Sequence, residues 1–245
     1  MAAKPFSDTC QDAPYWWKQR IPVSDAPTLP AQADVLVIGS GYTGLHAAIQ
    51  TARAGMHTVV IDAGQIGQGC STRNGGQVST SIKPSFDTLQ KKFGTGIATR
   101  IFQEGQASLD FTETFISDEA IECDFKVVGR FHGAHSPRQY EQLARLAETV
   151  HPVLETGAYV VPKAEQVSEL RTDYYHGGIV FPKHASVDPG AYHAGLVHLA
   201  KQSGATMIPN CAATALAEDG KEHDVQTVKG RICARHVIVA TNGYS

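Results

Sequence analysis

One glycine-rich segment constrains the fold of this chain more than any other feature. The short, apolar and β-branched run Asp34–Ile38 predicts a buried strand, and Gly39-Ser40-Gly41-Tyr42-Thr43-Gly44 follows it directly. Residues 45–54 then carry apolar side chains at helical spacing, and residues 57–62 predict a second strand. Strand, glycine turn, helix and strand in this order form a βαβ unit, so the sequence predicts an α/β fold with a Rossmann-like parallel sheet.

Each glycine of this segment has a mechanical role in such a fold. Gly39 allows the tight turn out of the strand, Gly41 lets a pyrophosphate approach the backbone, and Gly44 lets the helix pack close to the sheet. The backbone of Tyr42 and Thr43 then lies at the helix N-terminus, where free N–H groups and the helix dipole favour phosphate. The segment therefore predicts a dinucleotide site.

An acidic residue stands where such a site needs one. Asp62 follows Gly44 by 18 residues, at the end of the second predicted strand, with Ala63 beside it. A carboxylate there accepts hydrogen bonds from ribose hydroxyls and repels a 2′-phosphate, which disfavours NADP. A glycine turn without a ligand is the alternative, but strand, glycines, helix and acid all agree with a nucleotide site.

A second glycine-rich segment follows the ribose-binding strand. It is Gly67-Gln68-Gly69-Cys70-Ser71-Thr72-Arg73-Asn74-Gly75-Gly76-Gln77-Val78. The hydroxyls of Ser71 and Thr72 can bind phosphate, and Arg73 adds positive charge. Glycines that tolerate positive φ let the backbone pass close under a flat ring. This segment predicts further cofactor contacts at Asn74, Gly75, Gly76 and Gln77, although a surface loop that is merely rich in glycine is the alternative.

The second segment resembles the flavin motif of the D-amino-acid-oxidase-like FAD-dependent oxidoreductases, in particular the branch that includes gamma-glutamylputrescine oxidoreductase. The Pro14-Tyr15-Trp16-Trp17 lead-in, Val187-Asp188-Pro189 and the closing run Val237–Tyr244 match the same pattern. Two positions depart from it, since Asp62 replaces a common Glu and Cys70 a common Ala. The resemblance implies adenine contacts at Ala212 and Ala213 and an adenosine-side turn at Thr241, Asn242 and Gly243.

The resemblance also implies a function. The expected protein is an FAD-dependent oxidoreductase that oxidises a C–N bond of an amine or amino acid to an imine by hydride transfer to the flavin. Oxygen or another acceptor then reoxidises the cofactor. No residue of the chain is identified as a catalytic base. An NAD-dependent Rossmann dehydrogenase and a truncated, non-catalytic flavin-binding module are the alternatives.

Composition excludes several other classes of protein. The net charge of −3 does not provide the basic surface typical of nucleic-acid binding, and no apolar run approaches the length of a membrane span. The five cysteines form no CxxC pair, and the eleven histidines show no metal-ligand spacing. Since the N-terminus also lacks the apolar centre of a signal peptide, we expect a cytoplasmic protein without a metal site.

The sequence divides into a lead-in and two domains. The prolines in residues 1–33 predict that this lead-in forms no long helix or strand. Residues 34–120 and 186–245 are expected to form a discontinuous FAD-binding domain, with an inserted, incomplete α+β substrate domain at 121–185. Helices are predicted at 86–121, 137–156, 164–170 and 190–203, and a strand at 174–182. The chain stops just after an apolar strand, so we expect it to be the N-terminal portion of a longer protein.

Overall fold

The computed structural model describes residues 7, 9–10, 13–17, 27–151 and 153–244 of the chain. These form two compact units. The first comprises the described residues within 1–75, 121–123 and 188–245, and the second those within 76–120 and 124–187. The segment 76–120, which the sequence analysis assigned to the FAD-binding domain, thus groups with the second unit.

The described residues contain five α-helices and twelve strands. The helices are α1 Tyr42–Arg53, α2 Phe86–Phe93, α3 Thr95–Asp118, α4 Pro137–Thr149 and α5 Pro189–Gln202. The strands are β1 Gln32–Ile38, β2 Thr58–Ile61, β3 Gln77–Val78, β4 Lys126–Val127, β5 Arg130–Gly133, β6 Tyr159–Val161, β7 Gly178–Phe181, β8 Ala185–Ser186, β9 Thr206–Ile208, β10 Ala213–Asp219, β11 Glu222–Thr227 and β12 Gly230–Val239. No helix among these is both long and apolar enough to cross a membrane.

A six-stranded sheet is the centre of the first unit. Its strand order is β10-β11-β12-β1-β2-β9. The pairs β12–β1, β1–β2 and β2–β9 are parallel, whereas β10, β11 and β12 form an antiparallel meander. This arrangement confirms the predicted α/β class with a Rossmann-like sheet. Because β1 has a parallel neighbour on each side, the glycine segment that follows it emerges at the carboxyl edge of the sheet.

The core of this unit is made by the apolar side chains of the sheet and of α1. Leu36, Val59, Ile61 and Ile208 are fully buried in one cluster. The run of buried residues in β1 and β2 has no alternation, which is expected of parallel strands covered on both faces. Sheet packing therefore fixes the position of the strand ends that carry the glycine segment.

We expect the replacement of Leu36 by alanine to lower the free energy of unfolding by about 3 kcal/mol, because it leaves a cavity in a fully buried position. Urea unfolding of the variant and of the parent measures this loss. Leu216 is half exposed on β10 and provides the control. Its replacement by alanine is expected to cost less than about 1 kcal/mol. Equal losses at both positions would contradict the assignment of the core.

The second unit combines helices with two small antiparallel sheets. Their strand orders are β3-β8-β4 and β5-β7-β6. The predicted helical region 86–121 is two helices, because the chain turns at Gly94, whose φ of +81° favours glycine. Gly96 and Gly105 lie within α3 and do not interrupt it.

Three secondary-structure predictions were too long. The helix predicted at 137–156 ends at Thr149, the strand predicted at 174–182 covers only residues 178–181, and the helix predicted at 164–170 is a single 3-10 turn, Gln166–Ser168. Tertiary contacts decide the last case. The buried Gln166 side chain accepts a hydrogen bond from the Gly177 N–H at 3.0 Å, which ties this segment to the start of β7.

The lead-in is described only in part. Tyr15–Trp17 form one 3-10 turn, and the Trp16 indole N–H donates to the carbonyl oxygen of Asn74 at 2.9 Å. Trp16 also packs so closely on Gly190 that a Cβ there would come within 2.7 Å of it. Trp16 thus fixes this part of the lead-in to the rest of the first unit. Of the prolines in the lead-in, Pro14, Pro27 and Pro30 are among the described residues, whereas Pro5 and Pro22 are not.

Candidate cofactor-binding site

The turn after β1 admits only glycine at two of its positions. Gly39 has a φ of +109°, and a Cβ there would lie 2.5 Å from the carbonyl oxygen of Ala240. A Cβ on Gly44 would lie 2.0 Å from the carbonyl oxygen of Gly39 and 3.1 Å from Val37. The shortest of these contacts, to the carbonyl oxygens of Ala240 and Gly39, are with backbone that cannot yield cheaply. Because Gly39 and Gly44 have no side chains, α1, β1 and the end of β12 can pack in close contact.

The N-terminus of α1 is arranged to receive an anion. Gly41 is its N-cap residue and offers no side-chain cap. The Tyr42 N–H donates to the Ser71 hydroxyl at 3.1 Å, which brings the second glycine-rich segment to the first turn of the helix. Backbone donors, the positive end of the helix dipole and a hydroxyl thus meet at one point, as a phosphate requires.

Asp62 is held against the glycine turn by three hydrogen bonds. Its Oδ2 accepts from the Ser40 N–H at 2.8 Å and from the Ser40 hydroxyl at 2.6 Å, and its Oδ1 accepts from the Gly64 N–H at 2.9 Å. The carboxylate therefore has a fixed orientation at the end of β2. Both lone pairs of Oδ2 are used by Ser40, whereas Oδ1 accepts one bond and keeps a lone pair for a further donor, so the geometry leaves room for the predicted contact with a ribose hydroxyl at Oδ1. Ala63 continues the chain from this position.

Replacement of Asp62 by asparagine is expected to weaken FAD binding about tenfold. Both carboxylate oxygens accept hydrogen bonds, one from the Ser40 N–H and the other from the Gly64 N–H. An asparagine amide has only one acceptor oxygen, so its NH₂ group would face one of these N–H donors. Titration of the apoprotein with FAD, followed by flavin fluorescence, measures the dissociation constant. Asp110→Asn on α3 is the control, since that carboxylate pairs with Lys183 in the second unit. Unchanged FAD affinity in Asp62→Asn would argue against the ribose contact.

The second glycine-rich segment is closed by its own side chains. Thr72 is buried, and its hydroxyl donates to the carbonyl oxygen of Gly67, so it holds the loop rather than facing the helix N-terminus as Ser71 does. The Arg73 Nε donates to the carbonyl oxygen of Gln68 at 2.7 Å, on the exposed side of the loop. The Asn74 Nδ2 donates to the carbonyl oxygens of Cys70 and Ser71 at 3.1 and 3.0 Å. The loop is therefore an ordered element.

The end of this segment leads into the second unit. Gly75 is open, with no atom within 4 Å of the place where a Cβ would stand. Gly76 has a φ of +69°, which favours glycine. Gln77 begins β3 and pairs with Ser186. The predicted contacts of these three residues with a flat ring stay predictions.

Two more distant segments reach the same edge of the first unit's sheet. The Cys211 N–H donates to the carbonyl oxygen of Asp62 at 2.7 Å. Ala212 and Ala213 follow Cys211 in the chain, so they begin beside the end of β2. The Ala240 N–H donates to the carbonyl oxygen of Ile38 at 2.8 Å, and Thr241, Asn242 and Gly243 follow. Asn242 has a φ of +56°, which is typical of a turn. The structure thus brings the predicted adenosine-side segments to the strand ends that carry the glycine turn and Asp62.

His193 is a site residue that the sequence analysis missed. It lies on α5 with only 4% of its surface exposed, and its Nε2 donates to the carbonyl oxygen of Ser40 at 2.7 Å. Its ring also lies against Gly67, where a Cβ would come within 2.7 Å of it. One imidazole therefore contacts both glycine-rich segments. No spacing in the sequence indicated this role, because it depends on how α5 packs.

Two tyrosines and a histidine join α1 to α5 beside this contact. The Tyr42 hydroxyl donates to the carbonyl oxygen of Pro189 at 3.1 Å, its ring lies 5.1 Å from that of Tyr192, and the Tyr192 hydroxyl is 2.9 Å from the His46 Nε2. Burial raises the pKa of Tyr42 to about 12 and also raises the pKa of Tyr192. Both phenols stay neutral at physiological pH, which makes this cluster a structural support for α1.

Buried histidines predict that the protein is less stable in mild acid. Burial is the largest cause that lowers the pKa of His46, His132, His151, His184 and His193 from 6.5. The unfolded chain therefore takes up protons at a higher pH than the folded chain, so the free energy of unfolding falls as the pH falls below about 6.5. Urea unfolding at pH 7.5 and about 5.5 tests this. Equal or greater stability at the lower pH would contradict it.

The residues of the first unit fit FAD. Gly41 leaves the approach to the helix N-terminus free of a side chain, Ser71 adds a hydroxyl there, and Asp62 presents a fixed carboxylate at the adjacent strand end. The described residues contain no group of three metal-ligating side chains placed to hold a metal ion. The site can therefore bind a pyrophosphate and a ribose through backbone donors, hydroxyls and one carboxylate.

Comparison with known proteins agrees with this geometry. Residues 34–245 match the family model described as "DAO: FAD dependent oxidoreductase". A probable oxidoreductase OrdL of Rhizobium meliloti is 31% identical over 241 residues, which are 94% of this chain and 54% of that protein. Gamma-glutamylputrescine oxidoreductase of Escherichia coli is 29% identical over 218 residues, 86% of this chain and 49% of that protein. The chain spans about half the length of these curated relatives.

A solved structure shows the same fold. Glycine oxidase from Geobacillus kaustophilus superposes with a TM-score of 0.74 at 18% sequence identity, over 86% of this chain and 55% of that one. Because the family is FAD-dependent, the alternative of an NAD-dependent dehydrogenase is set aside. The match over most of the chain means that it belongs to the DAO family of FAD-dependent oxidoreductases.

Proposed function

We propose that this protein oxidises the C–N bond of a small amine or amino acid to an imine, with FAD as its cofactor. The observation that carries the proposal is the convergence of four segments at one edge of the sheet. The glycine turn, Asp62, the Ser71 loop and the turn after β12 meet there. This is where sheets of this type bind dinucleotides. FAD supplies the two-electron chemistry when bound.

The chain's own residues bind and orient the cofactor in this proposal. The α1 N-terminus and Ser71 hold the pyrophosphate, Asp62 accepts from the ribose, and Ala212, Ala213 and residues 241–243 line the adenosine side. Arg73, Asn74, Gly75, Gly76 and Gln77 lie along the ribityl chain and the ring. The first unit is the FAD-binding domain, and the second contributes to the substrate domain. No described side chain is assigned as the catalytic base.

The substrate class rests on the relatives. The Escherichia coli relative is named for gamma-glutamylputrescine, which is an amine, and the DAO family as a whole is a family of oxidoreductases. We extend an amine or amino-acid substrate to this chain on that ground. Oxygen or another acceptor would reoxidise the cofactor, and the compartment would be the cytoplasm. Nucleic acid is not a proposed partner, since the net charge is −3.

Anaerobic reduction of the FAD-loaded protein tests the proposal. The protein is loaded with FAD and freed of unbound cofactor, and its visible spectrum is recorded. Gamma-glutamylputrescine, putrescine, glycine and other amino acids are then added separately without oxygen. Loss of the visible flavin absorbance with at least one amine is the expected result. A protein that stays colourless after loading does not bind FAD, which would overturn the proposed cofactor and with it the proposed reaction.

A non-catalytic flavin-binding module is the remaining alternative. It predicts that the protein binds FAD but that no amine or amino acid bleaches it, whereas dithionite does.

A second experiment identifies the electron acceptor. Oxygen or a dye acceptor is admitted separately after the flavin has been reduced by an amine. Recovery of the flavin spectrum in oxygen alone identifies an oxidase, and recovery only with the dye identifies a dehydrogenase.

A further inference from the structure

The second unit contains a cavity that the proposed cofactor site does not use. Its volume is about 280 Å³, and it lies among α2, α3, the segment before α2, the C-terminal end of α4 with the residues after it, and the end of β7 with His184. All of its lining residues belong to this one unit. An apolar wall is formed by the side chains of Ile82, Phe86, Phe102, Leu146, Val150 and Phe181.

The cavity is a pocket that opens to solvent rather than an enclosed void. Ser81, Ser85 and Asp87 are exposed at its rim, and Phe86 and Leu154 are buried at its base. An apolar cavity of about 150 Å³ is already large enough to bind benzene. The cavity in the second unit is therefore large enough for a substituted or fused aromatic ring.

The polar side chains around the cavity mostly bond to the protein itself. The Thr80 hydroxyl is 3.2 Å from the His184 Nε2, the Gln106 Nε2 donates to the carbonyl oxygen of Leu154 at 2.7 Å, and the Ser85 hydroxyl caps α2. The buried Nδ1 of His151, in contrast, has no hydrogen-bond partner among the described residues, so this atom is left for an occupant. Contact with apolar surface has to supply most of the binding free energy.

Aromatic rings dominate the wall. The Phe86 and Phe102 rings meet edge to face at 5.5 Å, and the Phe181 ring stacks on His184 at 5.3 Å and meets His151 at 5.2 Å. Such faces and edges suit a further aromatic ring. Burial lowers the pKa of both histidines, so they present neutral rings at physiological pH.

The charge of the described lining disfavours an anionic occupant. Of the described lining residues, Asp87 alone carries a charge, and it is an exposed carboxylate in the first turn of α2. No lysine or arginine lines the cavity to neutralise an acid. Burial of an unpaired carboxylate among these side chains would be costly.

We propose that this cavity is a binding site for an uncharged, mainly apolar molecule with one aromatic ring system of about the size of indole. The proposal does not depend on the identity of the amine substrate or on the proposed residues of the FAD site. It assigns to the second unit a ligand that is not an anion and that is held by ring contacts.

Indole is the probe, and benzoate is the charged comparison. The protein is kept in saturating FAD, so that indole does not occupy the nucleotide site, and each compound is titrated by calorimetry. Indole is expected to bind saturably at one site per chain, and benzoate is expected to bind at least tenfold more weakly. Absence of saturable indole binding, or equal binding of benzoate, would overturn the proposal.

Two tryptophan variants locate the site. Leu146 lines the cavity and is 37% exposed, so Leu146→Trp can fill the space from its rim. Val153 is 54% exposed and does not line the cavity, so Val153→Trp adds the same bulk elsewhere. Leu146→Trp is expected to weaken indole binding at least tenfold and Val153→Trp to leave it unchanged. Equal indole affinity in both folded variants would place the site elsewhere and refute the assignment.

Discussion

Replacement of Gly44 by alanine is expected to weaken FAD binding about a hundredfold. The new Cβ would stand 2.0 Å from the carbonyl oxygen of Gly39, which is backbone of the glycine turn after β1, so the turn and α1 must move apart. Overpacking of this kind costs about 3 kcal/mol, and about 2.8 kcal/mol corresponds to a hundredfold change in affinity. Fluorescence titration with FAD and urea unfolding of the apoprotein measure the two losses separately.

The Gly44→Ala replacement is expected to lower the free energy of unfolding, which is the opposite of what alanine ordinarily does within a helix. Gly44 lies within α1, where alanine would ordinarily stabilise a helix by up to about 1 kcal/mol. A more stable Gly44→Ala protein would therefore show that close packing on the turn is not needed. Gly69 is the matched control, because its φ is −77° and no atom lies within 4 Å of its Cβ position. Gly69→Ala is expected to retain FAD affinity.

Replacement of His193 by leucine is expected to weaken FAD binding about tenfold. The carbonyl oxygen of Ser40 would lose its 2.7 Å hydrogen bond in a residue that is 1% exposed, and an unsatisfied buried acceptor costs roughly 1–3 kcal/mol. Ser40 also donates twice to Asp62, so a shift of its backbone carries over to the carboxylate. His193 is thus a positioning residue that acts through Ser40.

Two further variants separate this role from general packing. Glutamine at position 193 keeps a side-chain N–H donor, so His193→Gln is expected to recover part of the FAD affinity that His193→Leu loses. His198 lies on the same helix but is exposed, so His198→Leu is expected to bind FAD as the parent does. Equal FAD affinity in the parent and in His193→Leu would remove the assignment. Failure of the parent itself to bind FAD would instead refute the proposed function.

Local patterns in the sequence predict the parts of the fold that local chemistry determines. The strand before Gly39, the helix after it and the strand that ends near Asp62 all occur, because apolar periodicity and glycine placement act within a few residues. The helix after Val187 also begins as expected. Asp188 caps it by accepting from the Ala191 N–H at 2.8 Å, and Pro189 occupies its first turn.

Sequence patterns could not predict features that arise from long-range packing. The two-residue strands β3, β4 and β8 are too short to show alternation, and they exist because they pair with one another. The hydroxyl of Thr72 could not be distinguished from that of Ser71 until the loop was seen to close on Gly67. His193 gave no signal for the same reason, since its partners lie more than 100 residues earlier in the chain.

The pairing of β1 also has a consequence for how the protein is made. One neighbour of β1 is β12, with Gln32 opposite Cys233, so the contact joins residues about 200 positions apart. At a translation rate of about 5–20 residues per second, the edge of β1 waits at least about ten seconds for its partner after leaving the ribosome. During that time an apolar strand with unpaired backbone groups is exposed to other nascent chains. The central position of β1 therefore leaves one of its edges open to non-native pairing until β12 has been synthesised.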